Sequence, residues 1–155
     1  MTEVENVDRS VSTSAEVLKQ LRKFLLMLAI LLFAGAVVEL WLVGHTEDWL
    51  QWIPFVLAIV GIVVVLMLLA RPGETAIKVM RIWMALVVLG TLFGVYQHIA
   101  GNIAFEREVD PNATTSQLAW QGVGGGNPLL APGILAIAAL LSVAATYRYD
   151  VTSDF

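Results

Sequence analysis

His45 and His98 are the only two imidazoles in a 155-residue chain that contains no cysteine. Together with Glu39 and Glu106 they are the side chains best suited to hold a divalent metal, to ligate a haem iron in pairs, or to pass a proton. Neither histidine sits in a local metal signature such as His-x3-His, so the residues leave the metal and any cofactor unknown. Asn102 and Glu106 follow His98 at four-residue steps, and Gly90 and Gly94 precede it at the same step. On one helix these five residues form a single slanting ridge, smooth at its glycine end and polar at the other. The glycine pair matches the small-xxx-small pattern that lets helices approach closely, and packing within the chain is its preferred reading. Together, Glu39, His45, His98, Asn102 and Glu106 form the candidate ligand-binding set, with Gly90 and Gly94 as helix-packing positions.

Other chemistry is poorly supported. Without cysteine there are no disulfides, thiolate metal sites or cysteine nucleophiles. Ser10, Ser12, Ser14, Ser116 and Ser142 have no nucleophile-elbow context. The glycine run from Gly122 to Asn127 follows no strand and lacks the Lys-Ser/Thr of a phosphate loop. Glu106, Glu108 and Asp110 lack the spacing of a calcium loop and read as a solvated rim. Met80 and Met84 read as packing residues. No catalytic residues are expected, and the chain does not read as an enzyme.

These groups must be positioned by apolar elements. The chain is 58% hydrophobic and 14% charged, with mean hydropathy +0.78. A soluble domain carries about 25% charged residues, so the deficit is membrane-like. The net charge of -4 argues against a nucleic-acid partner. The residues predict an all-α membrane protein with four transmembrane helices, at about 24–43, 53–70, 77–100 and 132–147. Each is near the roughly 20 residues that a bilayer core requires. Ala34-Gly35-Ala36 resembles a signal-peptide cleavage site, but the apolar run continues past it, which favours a retained helix. Thr13-Ser-Ala-Glu16 fits a capping box and predicts a helix start near Ser14. Residues 1–13 then form a disordered acidic tail, residues 14–149 the membrane domain, and residues 150–155 a C-terminal tail. Residues 101–131 form a long outer connection between the third and fourth helices. Within it Gln117–Gln121 predicts an interfacial helix anchored by Trp120, and the last helix could start at Pro128 after an Asn127 cap.

Eight of the nine Lys and Arg residues fall on one side of this topology, and Arg107 alone falls on the other. The positive-inside rule therefore places both termini in the cytoplasm. The outer face is acidic and carries both histidines. Glu39 lies about one turn from the outer end of the first helix. There a carboxylate can reach the headgroups and avoid most of the roughly 2.5–3.5 kcal/mol cost of the bilayer centre.

The string Gly94-Val-Tyr-Gln-His98-Ile-Ala-Gly101-Asn102-Ile-Ala-Phe105-Glu106-Arg-Glu108, with His45-Thr-Glu47-Asp48-Trp49 and Leu130-Ala-Pro132-Gly133, resembles a group of small bacterial four-helix membrane proteins. The likeness covers most of residues 24–147. It implies a four-helix topology in a bacterial inner membrane and transfers no catalytic or binding residue. Three functions are in competition. The first is an accessory or assembly subunit of a larger inner-membrane complex, whose partners would be the lipid bilayer and other membrane-protein subunits. The second is a ligand-, metal- or haem-binding protein with an outer-leaflet site. Last comes a small proton-coupled exporter, because its carboxylate should lie near the midplane and Glu39 does not.

Overall fold

The computed structural model describes residues 3–127 and 130–148. Within them the chain is helical, with no strand. The helices are α1 (Glu3–Leu42), α2 (Ile53–Ala70), α3 (Glu74–Val109), α4 (Thr115–Gly124) and α5 (Leu130–Ala145), with a 3-10 turn at Trp49–Trp52 before α2. Three spans are long and apolar enough to cross a membrane: residues 13–42 of α1, α2 with the turn before it, and α3. α5 is apolar but shorter.

Two helices outrun their expected bounds. α1 has 40 residues and starts at Glu3, upstream of the Thr13–Glu16 capping pattern, which therefore lies inside a helix. Once the apolar segment has nucleated a helix, extension through polar residues costs little. α3 has 36 residues and continues nine past Ala100 to Val109. At 1.5 Å per residue it is about 54 Å long, well beyond a hydrocarbon core of about 30 Å. The polarity of its last turns does not stop it, because Glu and Arg are good helix formers. The expected tail at 150–155 and the alternative helix start at Pro128 lie outside the described residues. α4 appears where an interfacial helix was expected, extended to ten residues, and a complete capping box closes its start. The Thr114 side chain accepts from the Gln117 backbone N–H and the Gln117 side chain accepts from that of Thr114.

The bundle is a ring in which α1 touches α2, α2 touches α3, α3 touches α5 and α5 touches α1. α2 and α5 also meet across the diagonal, while α1 and α3 do not. Short turns make successive helices antiparallel, as in an up-down-up-down bundle. α4 packs on α3 alone. The core combines small residues with a few large ones: Ala29, Ala36, Ala58, Ala138 and Ala139 beside Leu26, Phe33, Leu68, Met80, Met84 and Val87. Large apolar side chains such as Leu31, Trp41, Ile82, Leu89, Leu92 and Leu140 point outward. Alanines at helix contacts together with large apolar side chains covering the outside is the arrangement expected where lipid, not water, covers the surface.

One end of the bundle is tied by arginines. The Arg22 guanidinium donates to the carbonyls of Tyr147 and Arg148 at 3.1 and 3.4 Å. Arg81 donates to the Thr146 hydroxyl at 3.2 Å and to the Thr146 carbonyl. Both cations therefore sit at the negative end of α5 and satisfy carbonyls that the helix leaves unpaired.

Candidate functional site

The opposite end holds the candidate residues. α1 ends where Gly44 adopts the left-handed conformation, φ 69°. The His45 backbone N–H bonds the Leu40 carbonyl at 2.9 Å and that of Gly44 bonds Trp41 at 3.1 Å. This pair of bonds is a Schellman motif, and it turns the chain back across the helix end. The motif places His45 in the loop at residues 43–48, half-buried and within electrostatic reach of His98 on α3. Burial lowers the His45 pKa below its usual 6.5, and a charge on His98 lowers it further. The two histidines, 53 positions apart in sequence, therefore lie at the same end of the bundle, each within the other's electrostatic reach.

His98 belongs to the inward stripe of α3. Ile77, Met84, Thr91 and His98 recur every seven residues, and Asn102 lies one turn further on. The first three and Asn102 are buried, and His98 is half-buried. The stripe is apolar through Val87 and polar beyond it. The Thr91 hydroxyl oxygen and His98 Nδ1 are both buried with no hydrogen-bond partner. Thr91 escaped attention in the sequence; the signal was its seven-residue spacing from His98.

Asn102 has a different task. Its Nδ2 donates to the carbonyls of Gly122 at 3.2 Å and Asn127 at 3.1 Å, and its Oδ1 accepts from the Asn127 backbone N–H at 2.9 Å. The side chain is fully occupied in tying the glycine-rich segment to α3. A Cβ on Gly125 would stand 2.6 Å from Asn102 Cγ, so the loop lies directly against the amide. Asn102 thus positions a loop, with both of its amide donors committed to it and one acceptor position left on Oδ1.

Glu39 is exposed on the outside of the bundle, and Glu106 is half-buried a turn beyond Asn102. Among the described residues no three of the His, Asp and Glu side chains converge on a point where they could hold a metal. The five candidates therefore do not form one site: His45 and His98 feel each other's charge, Asn102 holds the loop, and Glu39 faces away.

The glycines are accounted for by packing. A Cβ on Gly90 would come 2.3 Å from Leu57 Cδ1 of α2, and one on Gly94 would come 3.3 Å from Pro132 Cβ of α5. The two notches seat two different helices of the same chain. Trp83 adds a bond from its indole N–H to the Leu57 carbonyl at 3.1 Å.

No protein family, characterised protein or solved structure matches this chain.

Proposed function

We propose that the chain is an integral membrane protein that crosses a bacterial inner membrane four times and serves as an accessory or assembly subunit of a larger complex. The observation that carries this reading is the contrast between interior and extensions. The bundle is filled by Leu26, Phe33, Leu68, Met80 and Met84, and among the described residues no charged group is buried at mid-depth. α1 and α3, by contrast, run as helices of 40 and 36 residues well past an apolar span. Such projections offer protein surface on both sides of the bilayer, where a partner subunit could dock. For the fourth crossing, α5 is about 24 Å long, somewhat less than a hydrocarbon core of about 30 Å. Its closing carbonyls at 146–148 are held by Arg22 and Arg81, which brings its C-terminal end level with the basic starts of α1 and α3. That basic end supports a cytoplasmic location for both termini.

Extraction under mild detergent with a terminal tag tests the reading. The chain should co-purify with larger membrane proteins at fixed stoichiometry. Recovery only as a free monomer would overturn it. A second reading, an outer-leaflet ligand site, is favoured by a buried His98 Nδ1 that has no hydrogen-bond partner among the described residues and lies within electrostatic reach of His45. It requires a metal or chromophore in the purified protein that His98→Ala removes. The exporter reading ranks last because Glu39 is exposed on the outer surface of α1, away from any interior path.

A further inference from the structure

A recess of about 520 Å³ opens on the outside of the bundle where α2 turns into α3. Its walls are Val64, Met67 and Ala70 of α2 and Ala76 and Val79 of α3, and its mouth is formed by Arg71, Gly73, Glu74 and Thr75. From Val64 to Arg71 the apolar wall runs seven residues, about 10 Å, from the bundle end toward mid-depth.

At the mouth Arg71 carries the cation, while the one carboxylate there has a cation of its own. Glu74 is balanced by Lys78 at 3.4 Å, both well exposed. The Arg71 guanidinium makes no hydrogen bond or ion pair among the described residues. α3 starts at Gly73, which supplies no side-chain cap to the first amides of the helix. Their partial positive charge faces the same mouth.

We propose that this recess binds one phospholipid with an anionic headgroup, its phosphate at Arg71 and one acyl chain along Val64, Met67 and Val79. The inference rests on the reading of the bundle as membrane-embedded, since only then does the apolar wall lie in acyl chains and Arg71 at headgroup depth. Charge complementarity selects the occupant. A neutral helix from a second copy would leave Arg71 desolvated without a partner, whereas a lipid phosphate supplies one.

The full chain, reconstituted in phosphatidylcholine vesicles doped with phosphatidylglycerol and then extracted, is examined by native mass spectrometry. One phosphatidylglycerol should be retained in preference to phosphatidylcholine. Arg71→Gln should reduce that preference about fivefold, the equivalent of about 1 kcal/mol for one cation near an anionic surface. Lys19→Gln, which removes a cation from the same end of α1, should leave it unchanged. Val79→Trp, which fills the recess without altering charge, should expel the lipid while the protein keeps its helical circular dichroism. Equal retention of the two lipids, or equal loss in the Arg71 and Lys19 variants, would overturn the proposal. So would a dimer in phosphatidylcholine alone that buries Val79. A chain that never enters vesicles would instead count against the membrane reading itself.

Discussion

Asn102 Oδ1 accepts the Asn127 backbone N–H at 2.9 Å, while its Nδ2 reaches back to the carbonyl of the same residue at 3.1 Å. One side chain on α3 thus substitutes for a backbone partner across 25 residues of sequence and closes the outer connection over the helix end. Asn102→Ala should release that segment at a cost of about 1–3 kcal/mol, three hydrogen bonds at the usual net worth with partial rehydration of the freed groups. Hydrogen exchange should accelerate at the Asn127 amide while protection in α2 and in the first half of α3 is retained. Unchanged exchange at Asn127 would refute the clamp.

Gly90 and Gly94 should not respond alike to alanine. At Gly90 a methyl group meets Leu57 Cδ1 at 2.3 Å, while at Gly94 it needs only a few tenths of an ångström from Pro132. Gly90→Ala should destabilise the bundle by about 1–3 kcal/mol, as overpacking does. Adding Leu57→Ala should restore part of the loss, a coupling that a double-mutant cycle in detergent measures. Additive losses would mean that the two residues do not compete for the same space.

The histidine pair predicts a pH dependence of definite sign. His45 has a folded pKa below its ordinary 6.5, so between those two values the unfolded chain binds more protons. Its contribution is fully present above pH 6.5 and declines as the pH falls through the interval beneath it. His98→Gln should remove the repulsive part and move the His45 pKa upward, as read from its imidazole resonances. A His45 titration that ignores the substitution would separate the two rings.

Gly44 holds the left-handed turn that presents His45, with open space where a Cβ would go. Gly44→Ala should therefore cost about 1–2 kcal/mol through backbone strain alone. Asn, which tolerates this conformation, should cost less. If the motif positions His45, the alanine variant should also bring its pKa back toward 6.5.

Arg81 ties α3 to the end of α5 through both the hydroxyl and the carbonyl of Thr146. Arg81→Met should cost about 1–2 kcal/mol, since charge-assisted bonds are lost while the apolar stem is kept. Exchange at residues 146–148 should rise. Arg81→Lys should recover part of the stability.

Much of the fold was legible in the sequence. Apolar runs of membrane length fix where α1, α2 and α3 lie, and a shorter apolar run marks α5, because no water-facing arrangement can hide so many large apolar side chains. Gly44, Pro54 and the Arg71-Pro72-Gly73 turn mark breaks through backbone chemistry that acts locally. The ends of α1 and α3 were not legible, because a helix already formed extends through polar residues at little cost. The GxxxG pair announced close packing but could not say that Gly90 seats Leu57 while Gly94 seats Pro132. That outcome depends on which helices become neighbours in the ring.

The candidate site shows the same division. Residue types alone selected His45 and His98, since a chain with two imidazoles and no cysteine offers few other choices. Their electrostatic coupling is a tertiary fact, produced by a Schellman turn at the end of α1 that brings His45 to the same end of the bundle as His98. Asn102 looked like a ligand because it shares the ridge with His98, yet the structure assigns its amide to the Gly122–Asn127 segment. The sequence by itself determined that this chain makes apolar helices of membrane length with a basic end and an acidic one. Only the tertiary structure decided which polar groups use each other as partners, because hydrogen bonds across 25 residues and electrostatic contact across 53 depend on packing that no local pattern encodes.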